Sequence, residues 1–283
     1  MITKFTDRIY YMPNDDKTDR PLLGLICGDK DSLVVDAGNS PAHANEFLME
    51  VSKLDIPPLK YLVLTHWHWD HVFGIETMNL ITVCNNKTKE KLDIMQKLSW
   101  DDLMLDERVG KGEEIEFCSK MIKLEMPDRD GFKTGNADII FKENLEIDLG
   151  AIHCTIDNIG GCHSEDSTVI FIPEEKTLFL GDCICEDIYS GEWSYSRDKL
   201  LPMINKIKKY DASYYLTSHH HPESKEEFFD YLNDLIRIGN FVGNECSKNE
   251  VIERYTQFYG KAPNEDEICN IYSFIHGNLK DRA

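Results

Sequence analysis

The chain is short of positive charge. Its 283 residues carry 31 Lys and Arg against 51 Asp and Glu, a formal net charge of −20. A basic footprint for phosphate backbones is therefore missing, and no nucleic-acid partner is expected. Long apolar runs are missing as well. No stretch approaches the roughly 20 residues that span a bilayer, so no membrane contact is expected. The opening Ile2-Thr3-Lys4-Phe5-Thr6-Asp7 lacks the apolar core of an export signal. The nine cysteines include no CxxC pair, and Cys183-x-Cys185 is too tight for a zinc-ribbon knuckle. Reduced thiols and a cytoplasmic location are the expectation. No Gly-x-Ser-x-Gly elbow occurs, so a serine nucleophile has no obvious seat.

What the chain does have is a dense run of metal-binding side chains, Thr65-His66-Trp67-His68-Trp69-Asp70-His71. Four of these seven residues can bind a metal. The preceding Tyr61-Leu62-Val63-Leu64 is apolar and reads as a buried strand, so the run begins where a strand ends. Strand carboxyl ends are where α/β folds build their sites. His66 and His68 are two apart, and on an extended backbone both rings face one side. Asp70 and His71 follow as the chain turns toward a helix. Imidazoles and a carboxylate suit zinc, and also manganese or iron. Four donors this close exceed the needs of one ion, which points to two adjacent ions.

The rest of the chain repeats that placement. Strands are expected at Ile9-Tyr10-Tyr11, Leu22–Cys27, Ser32–Val35, Ile81–Cys84, Asp138–Phe141, Leu145–Leu149, Ile152–Asn158, Thr168–Ile172, Thr177–Leu180 and Tyr214–Leu216. A helix should open at Ser40-Pro41, with serine as the cap and proline at the first position. A short helix is expected over Val72–Met78. Residues 86 to about 126 are helical in pattern and charged, in the place of a lid or substrate-facing insertion. Leu200–Tyr210 is amphipathic, and beyond Pro222 the chain reads as helices. Four strands lead into metal-type donors: His66, His163, Asp182 and His219. Repetition of this context in distant segments argues for one assembled site.

These elements together resemble the metallo-β-lactamase superfamily. His66-x-His68-x-Asp70-His71 matches its central signature. Gly161-Cys162-His163-Ser164 falls at its Gly-x-His element, and Leu178-Phe179-Leu180-Gly181-Asp182 at its strand ending in Gly-Asp. Ser218-His219-His220 resembles its last Gly-His-Gly element, and Asp36-Ala37-Gly38 its early Asp-Thr-Gly turn. The order agrees throughout, over about residues 5 to 222. The resemblance implies an α/β fold, a four-layered αβ/βα sandwich occupying residues 1–222, with the 86–126 insertion and a helical extension over 223–283.

By the same resemblance His66, His68 and His163 hold one metal, Asp70, His71 and His219 a second, and Asp182 bridges them. The expected cofactor is two Zn2+, with Mn2+ or Fe as alternatives. His220 is the competing choice for His219, or else a group behind the ligands or facing substrate. Asp36 is expected to orient a ligating imidazole, and Asp166 is a weaker candidate for the same part. Cys162 and Cys183, each next to a ligand, are expected to point into the core.

The implied chemistry is hydrolysis by a metal-bridging hydroxide, with Asp70 as the catalytic proton carrier. The substrate would be a small molecule with an ester, thioester or lactone bond. Phosphodiester cleavage is an alternative, as is persulfide oxidation at a single iron; a binding protein without activity is a third reading. Trp67, Trp69, Tyr189, Trp193 and Tyr195 are candidate pocket residues. Against the glyoxalase II type, the C-terminal part lacks a basic cluster for an anionic thiol carrier, and Cys162-His163-Ser164-Glu165-Asp166 departs from that group's pattern. The apolar stripes of the C-terminal helices leave three roles open: packing on the sandwich, covering the pocket or forming a homodimer interface.

Overall fold

A computed structural model describes residues 1–282. Two sheets lie face to face. The first runs in sequence order through β1 (Thr3–Lys4), β2 (Ile9–Met12), β3 (Leu23–Cys27), β4 (Ser32–Val35), β5 (Leu59–Val63), β6 (Ile81–Asn85) and β7 (Ile139–Phe141). Its first four strands pair antiparallel and the last four parallel. The second sheet contains β8 (Asn144–Asp148), β9 (His153–Asn158), β10 (Thr168–Ile172), β11 (Thr177–Gly181), β12 (Tyr214–Thr217) and β13 (Glu223–Ser224). Among the described residues only β11 and β12 pair parallel within it.

Helices cover both outer faces. On the first sheet lie α1 (Pro41–Val51), α2 (Trp69–Val72), α3 (Ile75–Met78), α4 (Asn86–Met95), α5 (Asp102–Lys111) and α6 (Glu116–Glu125). On the second lie α7 (Arg197–Ile207), α8 (Lys225–Val242), α9 (Lys248–Tyr259) and α10 (Glu265–Lys280). The expected helix over Val72–Met78 is two single turns, with Gly74 between them. The expected helical end of the chain is preceded by the short edge strand β13, paired with β12.

Strand alternation explains the layers. Every residue of β3 is buried. Leu23, Leu25 and Cys27 point outward under the helices, while Ile26 points inward against the other sheet. The inner layer joins Ile9, Leu33, Val63 and Val83 to Ile156, Ile170, Phe179 and Leu216. Such strands are apolar on both faces, which is why they read as continuous runs. The C-terminal stripe Phe228, Leu232 and Leu235 packs with Leu178 and Tyr215, so it belongs to the outer core of the second sheet. The Tyr215 and Phe228 rings stack with centroids 4.3 Å apart. At the start of α1, Ser40 accepts a hydrogen bond from the His43 amide at 2.9 Å, with Pro41 at the first helical position.

Candidate metal centre

The strand ends of both sheets converge at one edge of the sandwich. His66 and His68 follow β5, and Asp70 and His71 begin α2. His163 follows β9, Asp182 ends β11, and His219 follows β12. All but His219 are buried; its side chain is 25% exposed. Gly181 makes the last turn before Asp182, with φ +56 and Thr65 so close that an added Cβ would lie 2.7 Å from its side chain. Only glycine meets both demands without strain.

Two groups of donors form. His66, His68 and His163 make the first, and Asp70, His71, Asp182 and His219 the second; within each, the donor atoms lie within 4.8 Å of one another. Asp182 Oδ2 sits between them. It lies 3.2 Å from His71 Nε2 and 3.3 Å from His219 Nε2. Toward the other group it is 3.7 Å from His163 Nε2 and 3.9 Å from His66 Nε2. Asp70 Oδ2 is 2.9 Å from His71 Nε2 and 3.3 Å from His219 Nε2.

The rings are oriented from behind. Asp36, at φ 62, accepts from the Thr65 amide, the Thr65 hydroxyl and His71 Nδ1, each at 2.8 Å. A carboxylate only accepts here, so Nδ1 carries the His71 proton and Nε2 is directed at the cluster. The Glu186 carbonyl accepts from His163 Nδ1 at 2.8 Å, which again leaves Nε2 toward the cluster. Asp36 is thus the carboxylate behind His71. Asp166 instead accepts from Ser164 and Thr88 and bonds no donor imidazole.

Two observations fit this set to cations. The Nε2 atoms of His66 and His163 face each other 3.2 Å apart, with the His163 proton committed to Nδ1. Asp182 Oδ1 is buried with no hydrogen-bond partner among the described residues, and such atoms are costly unless something binds them. Charge is unevenly divided. Burial, followed by neighbouring imidazoles, pushes His66 and His68 well below the usual histidine range. Burial also opposes protonation of His71, but Asp70, Asp36 and Asp182 raise it well above that range. Neutral nitrogens in one half and carboxylates in the other both suit divalent ions.

A cleft of about 490 Å3 opens over the cluster. Tyr189, Trp193 and His220 line it, as does the buried Trp69. Trp67 lies in an adjoining depression beside Lys91, whose Nζ is 4.7 Å from the ring centroid. Tyr195 corrects the sequence reading. It is 2% exposed, donates to the Ile184 carbonyl at 3.1 Å and packs 5.2 Å from Phe274, outside the cleft. Trp193 lies within the loop closed by the Asp187–Ser194 bridge, whereas the Tyr195 amide is tied to the Ser273 carbonyl of α10 at 3.0 Å. His221 is exposed and lines no part of the cleft. Cys162 and Cys183 are buried in the outer core of the second sheet.

Sequence reasoning missed other walls: Asp16, Asp19, Phe117, Glu186 and Ile188. Phe117 belongs to the segment read as a substrate-facing insertion, which was the one available signal. A larger depression of about 970 Å3 lies by the 127–134 loop, and it holds none of the seven donors.

A sequence model of the metallo-beta-lactamase superfamily matches residues 21–219. The chain belongs to that superfamily, whose members are mostly hydrolytic enzymes that typically bind divalent metals. Among solved structures it is similar to a metallo-beta-lactamase from Pontibacter korlensis, at 17% identity over 82% of this chain and 97% of that one, TM-score 0.57. It is also similar to the sec-alkylsulfatase Pisa1 from Pseudomonas sp., at 14% identity, 99% and 49% coverage, TM-score 0.66. This chain therefore spans about half of the alkylsulfatase. The DIM-1 metallo-beta-lactamase matches at 18% identity, 79% and 91% coverage, TM-score 0.55. At these identities the likeness is one of fold.

Proposed function

We propose that this protein is a dinuclear metal-dependent hydrolase of an ester, thioester or lactone-type bond. The observation that carries the reading is the position of Asp182 Oδ2, within 3.9 Å of imidazole nitrogens from both donor groups. His66, His68 and His163 would hold one ion, and Asp70, His71 and His219 the other, with Asp182 shared. Zinc suits this set, and manganese or iron are the alternatives. Two such ions, when bound, would polarise a substrate oxygen and acidify a water toward a pKa of about 7.

The protein's own groups do the rest. Asp70, whose carboxylate faces the cluster, would take the proton of the attacking water and return it to the leaving group. Asp36 and the Glu186 carbonyl fix His71 and His163 in the tautomer that offers Nε2. Trp69 and Tyr189 give the cleft beside the donors an aromatic lining. A sulfate ester is the second reading. The overlap with the alkylsulfatase takes in 99% of this chain, which includes the C-terminal helices.

The test is metal content per chain by plasma mass spectrometry on protein purified without added metal or chelator. A screen of esters, thioesters, lactones and alkyl sulfates accompanies it. About two ions per chain with turnover is expected. A single iron would redirect the work to persulfide chemistry, and a chain that takes up no metal on reconstitution would sink the proposal.

A further inference from the structure

The cleft over the donor cluster has a chemical bias of its own. Phe117 from α6 is 42% exposed and Trp193, from the loop after Asp182, is 48% exposed, yet both line this cleft. Ile188 and Tyr189 continue the apolar surface between them. Large aromatics left in water at a concave site mark a place where an apolar group is covered. The charged side chains at its rim are Asp16, Asp19 and Glu186, and no lysine or arginine lines it among the described residues.

These walls are braced. Arg20 Nη2 donates to Glu125 at 2.7 Å, and Ser40 donates to the same carboxylate at 2.6 Å. That ties the Asp16–Asp19 turn to α6, which carries Phe117. The opposite wall leans on α10. Ser273 donates to Glu186 at 3.1 Å, and the Ser273 carbonyl accepts from the Tyr195 amide at 3.0 Å. Gly277 meets the Tyr195 carbonyl so closely that an added Cβ would lie 2.0 Å from its oxygen.

We infer that the cleft selects substrates whose acyl or alcohol part is apolar and uncharged or cationic, held between Phe117 and Trp193, and rejects those with an anionic tail. The inference rests on the hydrolase reading and narrows it. A volume near 490 Å3 suits a small ligand. Asp19 lies 3.7 Å from His219 Nδ1, but Asp16 and Glu186 face no lysine or arginine in the cleft, so away from the donor cluster its rim repels a second negative charge. Thioesters of highly anionic carriers and anionic diesters fall outside this class.

The test uses the full metal-loaded chain and three p-nitrophenyl esters that share a leaving group. One is the neutral pentanoate, one carries a terminal trimethylammonium, and one is the glutarate monoester with a free carboxylate. We expect kcat/KM for the neutral and cationic esters to exceed that for the anionic one by about tenfold or more at low salt, with the gap shrinking near 1 M salt. In Asp16→Lys the gap should narrow, and in Trp193→Ala KM for the neutral ester should rise while metal content is unchanged. Equal or reversed preference would overturn the inference. If none of the three is cleaved by fully loaded protein, the ester-hydrolase reading is what fails. The corresponding p-nitroanilides, titrated by tryptophan fluorescence, then decide the cleft separately: tighter binding of the neutral and cationic probes upholds it, and no preference rejects it.

Discussion

The floor of the site and its walls are built in different ways. The floor is seven donors at strand ends and the start of α2, held by hydrogen bonds from groups 23 to 35 positions away, as Asp36 holds Thr65 and His71 and the Glu186 carbonyl holds His163. The walls are an insertion and a loop, joined by contacts between segments more than 75 residues apart, such as Arg20 with Glu125 and Glu186 with Ser273. The contrast teaches that reactivity and selectivity occupy separable parts of this fold. A substitution in the floor should abolish chemistry on every substrate, whereas one in a wall should reorder the substrates.

Asp182→Ala attacks the floor at its shared atom. It should lose bound metal and lower kcat/KM by about a thousandfold or more, read by metal analysis beside turnover. Full occupancy of both ions at a normal rate would break the assignment of Asp182 as the bridge. His219→Ala should deplete one ion while His221→Ala leaves both, since only His219 reaches Asp70 and Asp182. Equal losses would move the ligand to a neighbour. Asp36→Ala should weaken metal affinity and activity by about 10- to 100-fold; an unchanged metal titration would mean that His71 needs no support from behind.

A wall substitution gives the counterpart. Trp193→Ala should keep its metal and its turnover of a short acetate ester within about twofold, since it removes only uniform binding of a longer group. A loss as deep as that of Asp36→Ala would erase the distinction between floor and wall.

The packing behind the floor has a pH signature as well. Burial, aided by the nearby Arg20, lowers His43 from 6.5 to about 3. The unfolded ring takes up a proton below about 6.5 and the folded ring does not until about 3. Stability from the neutral ring is therefore present above 6.5 and falls away as the pH drops toward 3. Relative to wild type, His43→Leu should lose about 2 kcal/mol less unfolding free energy between pH 7 and pH 5, by urea titration. Parallel slopes in the two proteins would contradict this account of His43.

The floor was legible in the sequence because its signals are local. His66-x-His68-x-Asp70-His71 is contiguous, and His163, Asp182 and His219 each follow an apolar strand, so a short window shows both the donor and its placement. The strands were legible for a related reason, since runs such as Leu22–Cys27 are apolar on both faces. The walls were not. Nothing near Asp16 or Asp19 announces a cleft, because their position depends on a pair formed by Arg20 with a residue 105 positions away. Tyr195 misled for the same reason. Its place soon after Asp182 suggested the cleft, but its amide bonds the Ser273 carbonyl of α10 and its ring packs on Phe274.

The seam between Gly277 and Tyr195 gives the molecule a remote adjustment. Any side chain at 277 must push on Tyr195, two residues beyond Trp193. Helix α10 supplies none of the donors and lines no part of the cleft, yet its packing sets how far one jaw stands from the other. Substrate breadth can therefore drift through changes in a helix that never meets a reactant, while the donors that carry the reaction are left in place.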